Sequence, residues 1–288
     1  MKGRTYFKTS NILSLNMQHQ EFEPPEELRD TVKCFWYNRR ESGEAATDFE
    51  VQPDGYAEII FHFGQGLCVI SDDGLQSLPS PFMMGLLNQP VLFKTPNQLE
   101  IIAIRCFPWT VFDLLGLQSG KESVRMFEHP IARLQPMLAK LVGVGKIEEA
   151  MVAITQYFID AWSHIAANSM LSKAGIAMRN ANGTMPVRRV AEAAHATVRT
   201  LERNFKQSSG YRVKDVSGLI RFEQVRNHLW HNPQTNLAGL AHELGYTDQS
   251  HLSREFKRYS GTTPAAFARK AKKERPMANY DFVAFVQS

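Results

Sequence analysis

Two short stretches, VRTLERNFK (198–206) and QSHLSREFK (249–257), each set an arginine between a leucine and a phenylalanine. If both are helical, Leu201 and Phe205 share one face at i and i+4, as do Leu252 and Phe256. Arg203 and Arg254 then lie on the opposite side. The polar edge of the first stretch is Arg199, Thr200 and Arg203, and that of the second is Ser250, His251 and Arg254. A guanidinium can donate two hydrogen bonds to the edge of a guanine, and Ser, Thr or His can reach a base or a phosphate. Lys206 and Lys257 come late in their stretches, better placed for phosphate than for bases. The chemistry on offer is the hydrogen-bonded reading of a polyanion. The plain alternative is a solvated helix surface.

A second set of polar residues sits in apolar, strand-like sequence. Glu58 and His62 share a face if their segment is a strand, and Arg105 ends the apolar run QLEIIAIRCF (98–107). Arg105 is either an anchor for an anionic effector or a strand-end arginine reaching solvent. With Glu58 and His62 it makes the candidate effector site. A metal-dependent enzyme would need several His and carboxylate ligands converging. No second His or third ligand lies near His62 in sequence, so the reading is no metal, no cofactor and no catalytic residue. Cys34, Cys68 and Cys106 are widely spaced, with no CxxC pair, which fits a reducing cytosol. Cys34, beside Phe35 and Trp36, reads as buried.

The elements that must position these groups follow from pattern. The segment VAEAAHATVRTLERNFKQSSG (190–210) aligns with LAHELGYTDQSHLSREFKRYSG (240–261), at an offset of 50 before the turn and 51 after it. Similarity at that period signals a duplicated unit. Leu237, Leu240, Ala241 and Leu244 line one helical face. Gly245 can end that helix in the left-handed conformation, and Asp248 and Thr197 are natural N-caps for the helices that follow. Each unit is predicted as helix, short turn, helix, and VSGLIRFEQVRNHLW (216–230) as a long helix between them.

Upstream the texture is different. FEVQPDGYAEIIFHFGQGLCVI (49–70) has strand-like runs broken by the turn signals Pro53-Asp54-Gly55 and Gly64-Gln65-Gly66. With the run at 98–107, it suggests a small barrel or jelly-roll. From Pro108 the pattern turns helical, and IEEAMVAITQYFIDAWSHIA (147–166) carries Met151, Ile154, Phe158 and Trp162 at helical spacing. The fold class expected is α+β. A small β-barrel or cupin-like module with packed helices fills residues 1–180. An all-α domain of two helix-turn-helix units joined by a long helix fills 181–275, and a tail follows at 276–288.

Charge divides the same way. Residues 1–180 hold 16 Lys and Arg against 20 Asp and Glu, whereas residues 181–275 hold 17 against 8. A basic domain on a mildly acidic chain points to a polyanionic partner or is a solvated basic surface, and together with the two helix-turn-helix units it points to double-stranded DNA. No run approaches a membrane span and the N-terminus makes a poor signal peptide, so the expected location is the cytoplasm, with no membrane partner.

LAGLAHELGYTDQSHLSREFKRYSGTTPAAF (237–267) resembles the signature of AraC/XylS-type transcription regulators. Leu240-Ala241, Gly245-Tyr246, Ser250, Leu252, Arg254, Phe256-Lys257, Gly261 and Pro264 stand where that signature expects them. The first unit departs from it with His195 where the turn often has glycine, and with Ala194 where a larger aliphatic is common. PDGYAEIIFHFG (53–64), FMMGLLNQP (82–90), IIAIRCFPWTVFDLLG (101–116) and the ending DFVAFVQS (281–288) resemble the N-terminal module and tail of one subgroup. The resemblance implies two reading helices in successive major-groove segments and activation or repression at promoters. Three readings stay open. The chain is a regulator answering to a small-molecule effector, a constitutive one whose first domain only forms a homodimer or touches RNA polymerase, or a cupin-type enzyme fused to a DNA-binding domain. Methyl-transferring repair proteins also carry such a domain, but need a cysteine cluster that the three cysteines do not supply.

Overall fold

Side chains alternate along a strand, so each N-terminal strand sends one set of residues to either side of its sheet. A computed structural model describes residues 9–14, 17–41, 47–64, 66–95, 98–162, 169–274 and 285–287. The strands are β1 (Thr9–Ser14), β2 (Met17–Phe22), β3 (Val32–Glu41), β4 (Thr47–Val51), β5 (Ala57–Phe63), β6 (Cys68–Ser71), β7 (Gly74–Ser77), β8 (Phe82–Met84), β9 (Val91–Thr95), β10 (Gln98–Cys106), β11 (Val124–Arg125) and β12 (Phe285–Gln287). Seven form one antiparallel sheet in the order β1-β2-β3-β10-β5-β8-β11, and five a second in the order β12-β4-β9-β6-β7. The expected α+β class holds, and the cupin-like module is two facing open sheets that share a core and do not close into a barrel. The last strand comes from the far end of the chain and pairs with β4, Phe285 opposite Val51.

Register explains why β5 and β10 read as apolar on both faces. Phe22, Phe35, Ile104, Ile59 and Met83 lie side by side across the seven-stranded sheet. They pack on α1 (Val111–Leu114), α2 (Gln135–Gly143) and α3 (Ile147–Trp162), which supply Val111, Leu138, Met151, Ile154 and Phe158. The opposite row, Trp36, Ala103, Ile60 and Phe82, meets Phe49, Val69 and Phe93 of the five-stranded sheet. Central strands are thus covered by helices on one side and by a sheet on the other. Burying each large side chain stabilises the fold by about 1.5–3 kcal/mol, which is why the packing fixes the register.

Seven helices complete the chain: α4 (Ser169–Asn180), α5 (Val187–Ala193), α6 (Val198–Ser209), α7 (Val213–His231), α8 (Leu237–Glu243), α9 (Gln249–Ser260) and α10 (Pro264–Glu274). One apolar core runs through them, from Leu171, Ala174 and Met178 of α4 to Phe267 and Ala271 of α10. Helix α7 is its spine, with Val216, Leu219, Ile220, Phe222, Val225 and Leu229 buried. Arg221 on that spine donates to Glu255 of α9 at 3.0 Å and to the carbonyl of Gly183 at 2.8 Å. Burial opposes the charge on Arg221, but the Glu255 carboxylate outweighs it and holds the guanidinium above its ordinary value.

Candidate nucleic-acid interface

The duplication seen in the sequence is a duplication of backbone. Helices α5 and α8 start and end at an offset of 50, and α6 and α9 at an offset of 51. In each unit the first helix stops on a residue of left-handed conformation, His195 at φ 52° and Gly245 at φ 70°. In each the next amide folds back onto the helix, Ala196 to the Ala191 carbonyl and Tyr246 to the Ala241 carbonyl, both at 2.9 Å. The second helix then opens on its cap. Thr197 Oγ1 accepts from the Thr200 amide at 3.2 Å, and Asp248 Oδ1 from the His251 amide at 2.7 Å. At the other end Ser209 and Ser260 make equivalent bonds to the carbonyls of Phe205 and Phe256, and Gly210 and Gly261 close both helices.

That frame positions the polar edge. Leu201, Phe205, Leu252 and Phe256 are buried against α7 and its neighbours, and the edge opposite them faces outward. Arg199, Arg203, Lys206, Ser250, Arg254 and Lys257 are exposed, and Thr200 and His251 are half-buried. Thr200 Oγ1 accepts a hydrogen bond from Thr197 Oγ1 at 2.9 Å. His251 packs edge-on against Tyr246, with ring centres 5.3 Å apart, and its Nδ1 faces the Thr247 amide at 3.5 Å. With Nδ1 turned inward as an acceptor, Nε2 is the atom left to donate outward.

The pattern of leucine and phenylalanine does not single out two further residues. Val198 and Gln249 are the first residues of α6 and α9, equivalent at the same offset, and both are exposed. Reading helices meet bases chiefly through their first turns. Exposure beside the N-cap is the signal that would have found them. Basic residues on the last helix, Arg269, Lys272 and Lys273, are exposed as well. Conversely, the charge count overstates the surface, because Arg221 and Arg226 on α7 are turned inward.

Residues 190–270 match the helix-turn-helix domain family. The C-terminal domain is an AraC-type helix-turn-helix domain. Carrying an AraC-type domain, the chain is a DNA-binding regulator of transcription. Residues 20–122 match a second family, described as a domain of unknown function, DUF6597. Among solved structures the chain is similar to ToxT from Vibrio cholerae, at 11% identity over 85% of this chain and 99% of that one, with a TM-score of 0.44. It is also similar to the C-terminal domain of AraT, a response regulator from Geobacillus stearothermophilus, at 21% identity over 37% of this chain and 88% of that one, with a TM-score of 0.34. No curated protein matches the sequence.

The residues expected from the sequence to meet an effector lie in the first domain, upstream of the AraC-type domain. Arg105 is half-buried on β10 beside strand β5, where its Nε donates to Glu58 Oε1 at 2.7 Å and its Nη2 lies 3.3 Å from Asp54 Oδ2. Trp36 Nε1 donates to the same Glu58 oxygen at 3.2 Å, which leaves Oε2 buried with no hydrogen-bond partner. Burial, which outweighs the pull of Arg105, holds the Glu58 carboxyl above its ordinary value, and the like charge of Asp54 adds to it. His62 is four residues away on the same strand and does not join them. Its Nε2 faces the carbonyls of Leu78 and Pro79, each at 3.2 Å. Cys34 is buried, and burial pushes its thiol up to about 12. Among the described residues no three His, Cys, Asp or Glu side chains are placed to hold a metal, and no helix is long and apolar enough to cross a membrane.

Proposed function

We propose that this protein is a sequence-specific regulator, an activator at its promoters, that reads two successive major-groove segments with α6 and α9. The observation that carries the reading is the equivalence of the two units, each with an exposed arginine, Arg203 or Arg254, opposite its buried leucine and phenylalanine. Arg199, Thr200, Ser250 and His251 join those arginines in reading bases, and Lys206 and Lys257 hold phosphates. The N-terminal domain answers to a small-molecule effector, with the Arg105 and Glu58 pair as its polar centre. The orphaned Glu58 Oε2 favours this reading over the constitutive one, because a buried oxygen of this kind accepts a donor group readily. His62 shares the face of β5 with Glu58 but is engaged by the carbonyls of Leu78 and Pro79, so it stands apart from that centre. The protein acts in the cytoplasm as a homodimer with no catalytic activity of its own, and the outward Val152 on α3, 48% exposed, suits contact with a second copy or with RNA polymerase.

Selection of genomic DNA fragments on the purified full-length chain at about 150 mM salt tests the reading, because nonspecific attraction is largely screened there. The expected result is one recurring motif of two boxes about one helical turn apart. Recovery without a motif overturns sequence-specific reading. For the effector, incubation with a cell extract should enrich a small molecule that raises the melting temperature. No enrichment and an unchanged melting temperature would leave the constitutive reading standing.

A further inference from the structure

Among the described residues the first domain meets the helical domain around the C-terminal cap of α6 and around α4 and α7, and it comes near the equivalent cap of α9. At the C-terminal cap of α6, a Cβ on Gly210 would lie 2.5 Å from the Gly120 carbonyl oxygen. Ser119 Oγ donates to the Lys206 carbonyl at 3.2 Å, and Tyr211 donates to the Leu86 carbonyl at 2.8 Å. Trp109 packs on Phe205, with ring centres 5.9 Å apart. At the cap of α9, a Cβ on Gly261 would lie 3.8 Å from Pro90 Cγ. Gly210 and Gly261 occupy the same position of the repeat, but the first domain packs closely only on the end of α6, where Gly210 is buried, while Gly261 at the end of α9 is exposed with Pro90 nearby.

The other meeting place is at α4 and α7. The turn Pro53-Asp54-Gly55-Tyr56 is gripped by arginines of the helical domain. Arg226 of α7, 3% exposed, donates to the Pro53 carbonyl at 2.6 Å. Arg179 of α4 donates to Tyr56 Oη at 2.7 Å and stacks over its ring at 4.2 Å. Glu223 of α7 lies 3.9 Å from Arg179, and Arg105 reaches Asp54 from the sheet side. Three guanidiniums, Arg105, Arg179 and Arg226, therefore meet three carboxylates, Asp54, Glu58 and Glu223. Across the domain boundary, arginines of the helical domain face the turn at 53–56 and Glu223, which is the pattern of a joint.

We propose that the N-terminal domain is a brace, held by the turn at 53–56, that keeps the two reading helices at one mutual orientation and so sets the box spacing the protein accepts. Arg226, Arg179 and Tyr56 are positioning residues for DNA reading and touch no DNA themselves. The spacing part rests on the DNA-reading function above, while the brace itself does not.

Two measurements separate them. In the first, spin labels are placed at Gln207→Cys and Arg258→Cys, exposed and equivalent on α6 and α9, in a Cys68→Ser full chain. The distance distribution should be narrow in the parent, broader in Arg226→Met and Tyr56→Phe, and narrowed again in Arg226→Lys. Tyr56→Phe keeps the ring and removes only the hydroxyl, so it guards against a variant that fails to fold. Equal widths in all of them overturn the brace, whatever the protein does to DNA. In the second, the selected operator is tested with one base pair added or removed between its boxes. The parent's preference for its own spacing should fall on the order of tenfold in Arg226→Met, within the usual range of coupling between sites. A preserved preference despite broadened distances overturns the role in spacing. A parent that selects no motif refutes the DNA-reading function and leaves the label distances to decide the brace.

Discussion

At the scale of the residue, chemistry is decided by which polar groups stay free of the fold. Arg203 and Arg254 face outward from equivalent points, so each is available for a bidentate contact. Arg203→Ala or Arg254→Ala should each cost roughly 1–3 kcal/mol at the cognate site and relax specificity in one box. Lys257→Ala should weaken all sequences alike and reduce the salt slope by about one. Titration of competitor DNAs at several salt concentrations tells the two effects apart, and cognate affinity untouched by Arg254→Ala would move the reading face elsewhere. Glu58 behaves differently, with Oε1 held by Trp36 and Arg105 and Oε2 left buried and unpartnered. Its folded value lies above the ordinary 4.5, because burial outweighs Arg105. Protons then bind the folded chain more tightly than the unfolded one. Stability from this group is complete below about 4.5 and is lost as pH rises through the folded value. Glu58→Gln should flatten the decline of melting temperature across that window, since its amide stays neutral. Parallel profiles for parent and variant would show that Glu58 ionises at its ordinary value.

At the scale of the element, most of the second domain was legible and much of the first was not, for physical reasons. Helix, turn and cap are local, and the offsets of 50 and 51 read from the sequence are those of the helices themselves. Thr197 and Asp248 both cap, so Thr197→Ala and Asp248→Ala should each lower stability by about 1 kcal/mol in denaturant melts. His195 tests the departure from the family pattern. It holds φ 52°, a conformation that its counterpart Gly245 adopts without strain. His195→Gly should therefore stabilise the chain by about 1 kcal/mol. A loss instead would mean that the imidazole contributes more to the turn than its backbone strain costs. In the first domain alternation revealed strands but not their partners. Trp36 and Phe35 are adjacent, yet one faces the second sheet and the other α3, and nothing local tells a barrel from two open sheets. The pairing of Arg105 with Asp54 and Glu58 likewise joins residues about 50 positions apart, beyond any spacing rule.

At the scale of the whole molecule, the joint between the domains was hidden because its residues read as something else. Arg226 counted toward the basic charge of 181–275, Arg179 fell within the mildly acidic 1–180, and Gly210 was only a matched position of the repeat. Gly210 and Gly261 provide an internal control for this joint. Both hold left-handed backbone, at φ 76° and 72°, so alanine at either carries the same local cost of about 1 kcal/mol. Only at Gly210 would the added methyl strike a backbone oxygen of the other domain, and backbone yields less readily than the end of a side chain. Crowding of that kind adds roughly 1–3 kcal/mol. Gly210→Ala should therefore destabilise the full chain well beyond Gly261→Ala, with the excess seen in equilibrium denaturant melts. Equal losses would mean that Gly120 moves aside freely and that the first domain does not bear on α6. A larger loss confined to Gly210→Ala places the rigid contact at the first unit, where α6 meets the domain more closely than α9 does.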